Sequence, residues 1–148
     1  MITRNEMCLK FSARSINESF ARTAVSAFIM ELDPTIGELS DIKTAVSEAV
    51  TNCIVHAYPD KEGVVYINVK ICENAKVIIK VRDKGCGIED VKKAMEPLFT
   101  TGGEDRAGLG FAVMQSFMDK VSVRSTLSKG TTITMEKSII RRGNNDRA

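Results

Sequence analysis

The sequence predicts an α+β fold, a two-layer α/β sandwich in which a mixed, mostly antiparallel sheet carries helices on one face. Val- and Ile-rich runs come in pairs, residues 64–72 with 76–82 and 121–127 with 131–136, each pair joined by a short turn. Between Ser15 and Tyr58 two stretches carry apolar residues at helical spacing. Strands thus recur as hairpins, not in the strand–helix–strand alternation that builds a parallel sheet. A length of 148 residues suits one domain, expected over residues 1–138 with 139–148 as a flexible tail.

Each element has its own signal. Met7, Leu9 and Phe11 alternate with Cys8 and Lys10, the pattern of a half-buried edge strand that ends near Ser12. Ser15 with Glu18 reads as a capping box, and Phe20, Ala24, Ala27, Phe28 and Leu32 then mark a buried helical face until Asp33-Pro34 stops it. A second helix is expected from Gly37 to Tyr58, with Ile42, Ala45, Val46, Ala49, Val50, Cys53 and Ile54 inward. The hairpins turn through Glu73-Asn74-Ala75 and Ser128-Lys129-Gly130. Between them Gly85, Gly87, Gly102, Gly103, Gly108 and Gly110, with Pro97, leave room only for a short helix around Glu89–Met95. Long loops in compact domains usually serve as lids or ligand cradles. Helix character resumes over Leu109–Met118.

Composition narrows the function classes. A hydrophobic fraction of 43% with 27% charged residues is globular, and no stretch approaches the ~20 apolar residues of a membrane span. Arg141, Arg142 and Arg147 less Asp146 account for the whole net charge of +2, so the body is neutral. A neutral body argues against direct nucleic-acid binding, because no basic stripe is in evidence to neutralise phosphates. The four cysteines form no Cys-x-x-Cys pair and His56 is the one histidine, which disfavours zinc and suits reduced thiols in cytoplasm.

Four short patterns could carry chemistry. Glu48, Asn52 and His56 recur every four residues, one polar stripe on the second helix. An amide oxygen there could meet a hard cation such as Mg²⁺, and a carboxylate one turn away could take a proton, although a solvated helix face has the same pattern. Asp83, followed by Gly85 and Gly87, ends a strand where backbone could approach a flat ligand and a carboxylate could accept from an exocyclic amine. It also reads as an ordinary turn. Gly108-Leu109-Gly110 is expected just ahead of a helix, where orphan N–H groups would suit a polyphosphate, or simply as a flexible helix start. Arg106 could add charge there, and Thr131, at a strand junction, could face the ligand that Asp83 addresses. Weak alone, the four gain weight from their order.

That ordered set resembles the GHKL family of ATP-binding domains, shared by sensor histidine kinases, type II topoisomerases and some chaperones. The likeness spans nearly the whole chain. Ser47-Glu48-Ala49-Val50-Thr51-Asn52 with His56-Ala57-Tyr58, and Pro97-Leu98-Phe99-Thr100-Thr101, look most like the branch of small stand-alone serine kinases that act as anti-sigma factors. Residues 4–7, 11–15 and 17–22 look like the versions found in endospore formers. The resemblance implies a Bergerat-type fold that binds ATP or ADP with Mg²⁺. Asn52 would be the Mg²⁺ ligand, Glu48 the catalytic base and Asp83 the adenine-amine acceptor. Gly85 and Gly87 would shape the adenine pocket, Gly108, Leu109 and Gly110 would cradle phosphates, and Thr131 would support Asp83. Thr100, Thr101 and Arg106 would belong to an ATP lid. Implied partners are a sporulation sigma factor of the sigma-F type, an anti-anti-sigma protein that is both serine substrate and antagonist, and a second copy of the chain. Arg22 is the candidate for the partner-binding face. A non-catalytic sigma-sequestering module, or the equivalent kinase of the stress-response sigma-B branch, are the alternatives.

Overall fold

Alternation of apolar and polar residues decides how the sheet is faced. A computed structural model describes residues 2–59, 61–95 and 106–140, the side chains of 106–109 excepted. Strands β1 (Thr3–Ser12), β2 (Val64–Cys72), β3 (Lys76–Asp83), β4 (Lys120–Thr126) and β5 (Gly130–Ser138) form one sheet in the order β1-β2-β3-β5-β4. Every pairing is antiparallel, so the expected mixed character is absent among the described strands. The connection explains this. The chain crosses from β3 to the outer edge, lays down β4 there, and returns as β5 between the two, antiparallel to both.

Val65, Ile67, Val69 and Ile71 of β2, Val77, Ile79 and Val81 of β3, and Ile133 and Met135 of β5 point to one face and are buried. Helices α1 (Ile16–Ile29), α2 (Ile36–Asn52) and α4 (Arg106–Phe117) cover that face, and a short α3 (Val91–Met95) lies beside α4. From α2 the buried side chains are Ile42, Ala45, Val46, Ala49 and Val50, as the spacing predicts.

The first helix differs from its expectation in two ways. Ser15 makes no side-chain cap bond; the Glu18 carboxylate instead accepts from Ser47 Oγ and from Arg22 Nε, the latter at 2.8 Å. A capping box does form one helix later, where Thr35 Oγ1 accepts from Glu38 N and Glu38 Oε1 accepts from Thr35 N, both at 2.9 Å. The inward face of α1 is Ala21, Val25 and Ile29, one position on from the expected stripe. Phe20 is 48% exposed and meets Phe11 edge-on, ring centroids 5.8 Å apart. The helix also ends earlier, giving way to a 3₁₀ turn, Met30–Leu32, before Asp33 turns left-handed at φ 53°.

Two further corrections concern the chain's end and its charge. Ile139 is 3% exposed with its N–H on Ala75 O, and Ile140 N donates to Glu38 Oε2, so the ordered body runs past residue 138. Residues 141–148 lie outside the described residues. The reading of a body without a basic stripe also fails, because strand pairing concentrates charge that the linear sequence disperses. Lys10, Tyr66, Arg82, Thr132 and Arg124 fall in one cross-strand row of the open face, next to the row Cys8, Asn68, Lys80, Thr134 and Ser122. The Arg82 guanidinium lies 4.6 Å from the Tyr66 ring centroid.

Candidate functional site

The helical layer and the strand ends meet where α2 stops. Past Asn52 the chain continues as one π-helical segment, Cys53–Ala57, so the expected single helix to Tyr58 changes winding inside the polar stripe. Its last carbonyl, Ala57 O, accepts from Cys86 N at 2.9 Å, which joins the helix end to the loop after β3. That approach requires glycine at position 85, since a Cβ there would sit 2.1 Å from Ala57 O. Tyr58 fastens the same corner: its hydroxyl donates to Val64 O and accepts from Lys84 N, each at 2.7 Å.

Above this corner is a cavity of about 50 Å³ lined by Asn52, His56, Ala57, Asp83, Gly87, Ile88, Phe111, Thr131 and Ile133. Asp83 is 6% exposed and its Oδ1 accepts from Gly85 N at 2.9 Å and Thr131 N at 3.2 Å, which fixes the carboxylate at the wall. Gly87 lines the cavity at φ +81°, a conformation glycine adopts freely. Gly85, expected beside it, faces Ala57 instead.

Glu48 stands one turn before Asn52, and α4 crosses both. A Cβ on Gly110 would lie 3.2 Å from Glu48 Oε1 and 3.4 Å from Asn52 Oδ1, so this glycine lets α4 lie directly against the two polar side chains. Among the described residues Asn52 Nδ2 is buried and has no hydrogen-bond partner. Among the described residues no group of three or more His, Cys, Asp or Glu gathers into a metal cage. The donor set fits Mg²⁺ brought in on phosphates, because that ion keeps several waters and takes few protein ligands.

Gly108-Leu109-Gly110 does not precede the helix. The backbone is helical from Arg106, so Gly110 is the fifth residue and lies beyond the first four N–H groups left free at a helix start. Thr100 and Thr101 lie outside the described residues, as does the Arg106 side chain. Arg22 is on α1, paired with Glu18 and away from the cavity.

Sequence reasoning missed Ile88, Phe111 and Ile133 as lining residues, and Cys53 and Ser125 as their supports. No local pattern separates these from ordinary core positions. Burial first, and then the charge of Asp83 beside it, push the Cys53 thiol well above its ordinary pKa.

Comparison with known proteins bears on the family and the fold. The family model for the histidine kinase-like ATPase domain matches residues 11–137. An anti-sigma F factor of Caldanaerobacter subterraneus subsp. tengcongensis is 61% identical over 136 residues, 91% of this chain and 94% of that protein. One from Geobacillus kaustophilus is 56% identical over 138 residues, 92% of this chain and 94% of the relative. Among solved structures, the RsbU and RsbW domains of a Mycobacterium tuberculosis protein superpose with a TM-score of 0.69 at 17% identity, over 98% of this chain and 36% of that one. The catalytic domain of the histidine kinase ThkA gives 0.56 at 16% identity, over 90% of this chain and 97% of that one. At such identities the likeness is one of fold.

Proposed function

Because the chain belongs to the histidine kinase-like ATPase family and, within it, to the anti-sigma F factors, we propose that it is an ATP-dependent protein serine kinase that also holds a sporulation sigma factor inactive. Its serine substrate is the anti-anti-sigma antagonist of that factor. The names of the relatives at 61% and 56% identity support the sigma-F branch over the stress-response sigma-B branch.

One observation carries the reading. Asn52 and Asp83, 31 positions apart in sequence, line the same cavity, while Gly110 brings α4 against Glu48 and Asn52. Asp83 accepts a hydrogen bond from the exocyclic amine of adenine, and Phe111, Ile88 and Ile133 supply apolar walls for the ring. Asn52 Oδ1 would hold Mg²⁺, which when bound would supply charge neutralisation for the phosphates. Glu48 takes the proton of the attacking serine hydroxyl. The rest is positioning, which dominates phosphoryl transfer. A second copy of the chain covers the sheet edge at β1, which has no neighbour beyond it in the described sheet. No helix among the described residues is long and apolar enough to cross a membrane, in keeping with action in the cytoplasm.

The test is incubation with γ-labelled ATP, Mg²⁺ and the antagonist. Wild type labels a serine of the antagonist. Glu48→Gln retains nucleotide binding and loses transfer by about 10²-fold or more. Antagonist left unlabelled by the wild type, with nucleotide bound, would identify a non-catalytic sequestering module.

A further inference from the structure

Ser125 on β4 lies behind the cavity wall, opposite Thr131 in the strand register. Among the described residues its Oγ has three polar neighbours: Ile88 N at 2.7 Å, Gly130 O at 3.2 Å and Thr131 Oγ1 at 2.8 Å. A serine hydroxyl has one proton and two lone pairs. The Ile88 N–H can only donate and the Gly130 carbonyl can only accept. Ser125 therefore takes one proton from Ile88 and gives its own to Gly130, leaving a single lone pair for Thr131. All three contacts are satisfied only when Thr131 donates to Ser125.

The direction of that bond determines what Thr131 offers to the cavity. Its proton points back into the sheet, so only lone pairs remain for a ligand. Asp83 next to it is likewise an acceptor, with Oδ1 already holding two backbone N–H groups. From this arrangement we propose that Ser125 is a specificity-determining residue: it holds Thr131 as an acceptor, so that the wall selects a purine bearing an exocyclic amine over one bearing a carbonyl at that position. An amine has two hydrogens for two acceptors, whereas a carbonyl would set its own lone pairs against theirs. Unpaired buried acceptors are the kind of mismatch that gives strong discrimination. The inference rests on the nucleotide reading of the cavity and adds a residue to it.

The experiment measures affinities for ATP and inosine triphosphate by calorimetry. Wild type should favour ATP by at least about tenfold. In Ser125→Ala the Thr131 hydroxyl loses its inward partner and is free to turn and donate to the inosine carbonyl, so the ATP-to-inosine ratio should fall by about tenfold. Ser125→Thr, which keeps the hydroxyl, should restore the ratio. Should the alanine variant not fold, Ser125→Cys keeps the volume but offers a poor hydrogen-bond partner, and the same fall is expected. A ratio unchanged in a folded hydroxyl-less variant that still binds ATP overturns the role of Ser125 alone. Wild type that binds neither nucleotide overturns the cavity reading and this inference with it.

Discussion

Cys53 and Cys72 are buried while Cys8 and Cys86 are open to solvent, a partition that chemistry can read directly. Ellman's reagent should titrate two thiols in the native protein and four in denaturant; fast reaction of a third would mean that the burial of Cys53 or Cys72 is lost in solution. Because Cys53 is held protonated in the folded state, its contribution to stability is fully present below the unfolded thiol pKa of about 8.5 and is lost as pH rises through the higher folded value. Urea unfolding above that pH should show a steeper loss in wild type than in Cys53→Ala. The first helix gives a second comparison at this scale. Ile29 is fully buried, so Ile29→Ala should cost about 2–5 kcal/mol, whereas Phe20→Ala should cost about 1 kcal/mol through its edge contact with Phe11. The stripe beginning at Phe20 and the stripe of Ala21, Val25 and Ile29 both recur at helical spacing, which alone leaves their order open. Which one turns inward depends on how the helix settles on the sheet, and that is not written in the helix's own sequence.

Among whole elements, the strands were the most legible, since their hairpin turns and alternation are local. β2 occupies Val64–Cys72 as its composition predicts, and its inward residues are every second one. Helix ends were less legible, because Ser15 and Thr35 both present a hydroxyl with an acidic residue three positions on, yet Glu18 is drawn to Ser47 on the neighbouring helix. Thr35→Ala should therefore destabilise the protein by about 1 kcal/mol and Ser15→Ala by much less, as chemical denaturation would report. Equal losses would mean that the Ser15 cap also contributes. The π segment and the helical start at Arg106 had no signal at all. Each arises where an element must accommodate a neighbour: Ala57 O meets the β3 loop, and α4 lies on Glu48 and Asn52.

For the molecule as a whole, the cavity is a product of tertiary structure. Asn52 and His56 come from the end of the helical layer, Asp83 and Thr131 from paired strands, Ile88 from a loop and Phe111 from α4. The polar members could be picked out of the sequence because their types are unusual at those positions; Phe111 and Ile133 could not, because an apolar residue that lines a cavity looks like one that fills a core. A ligand that needs all of these elements at once binds the folded chain and not the unfolded one. Mg·ATP at 100 times its dissociation constant should then stabilise the protein by about 2.7 kcal/mol. For a domain of this size that is a rise in melting temperature of about 5–10 °C, which a thermal scan resolves easily. Asp83→Asn should abolish the rise while leaving the fold intact: the amide oxygen can still accept from Gly85 and Thr131, but its NH₂ would then face the adenine amine donor to donor. If Asp83→Asn kept the full shift, the stabilising nucleotide would have to bind away from this wall, and the convergence of these elements would have to serve something else.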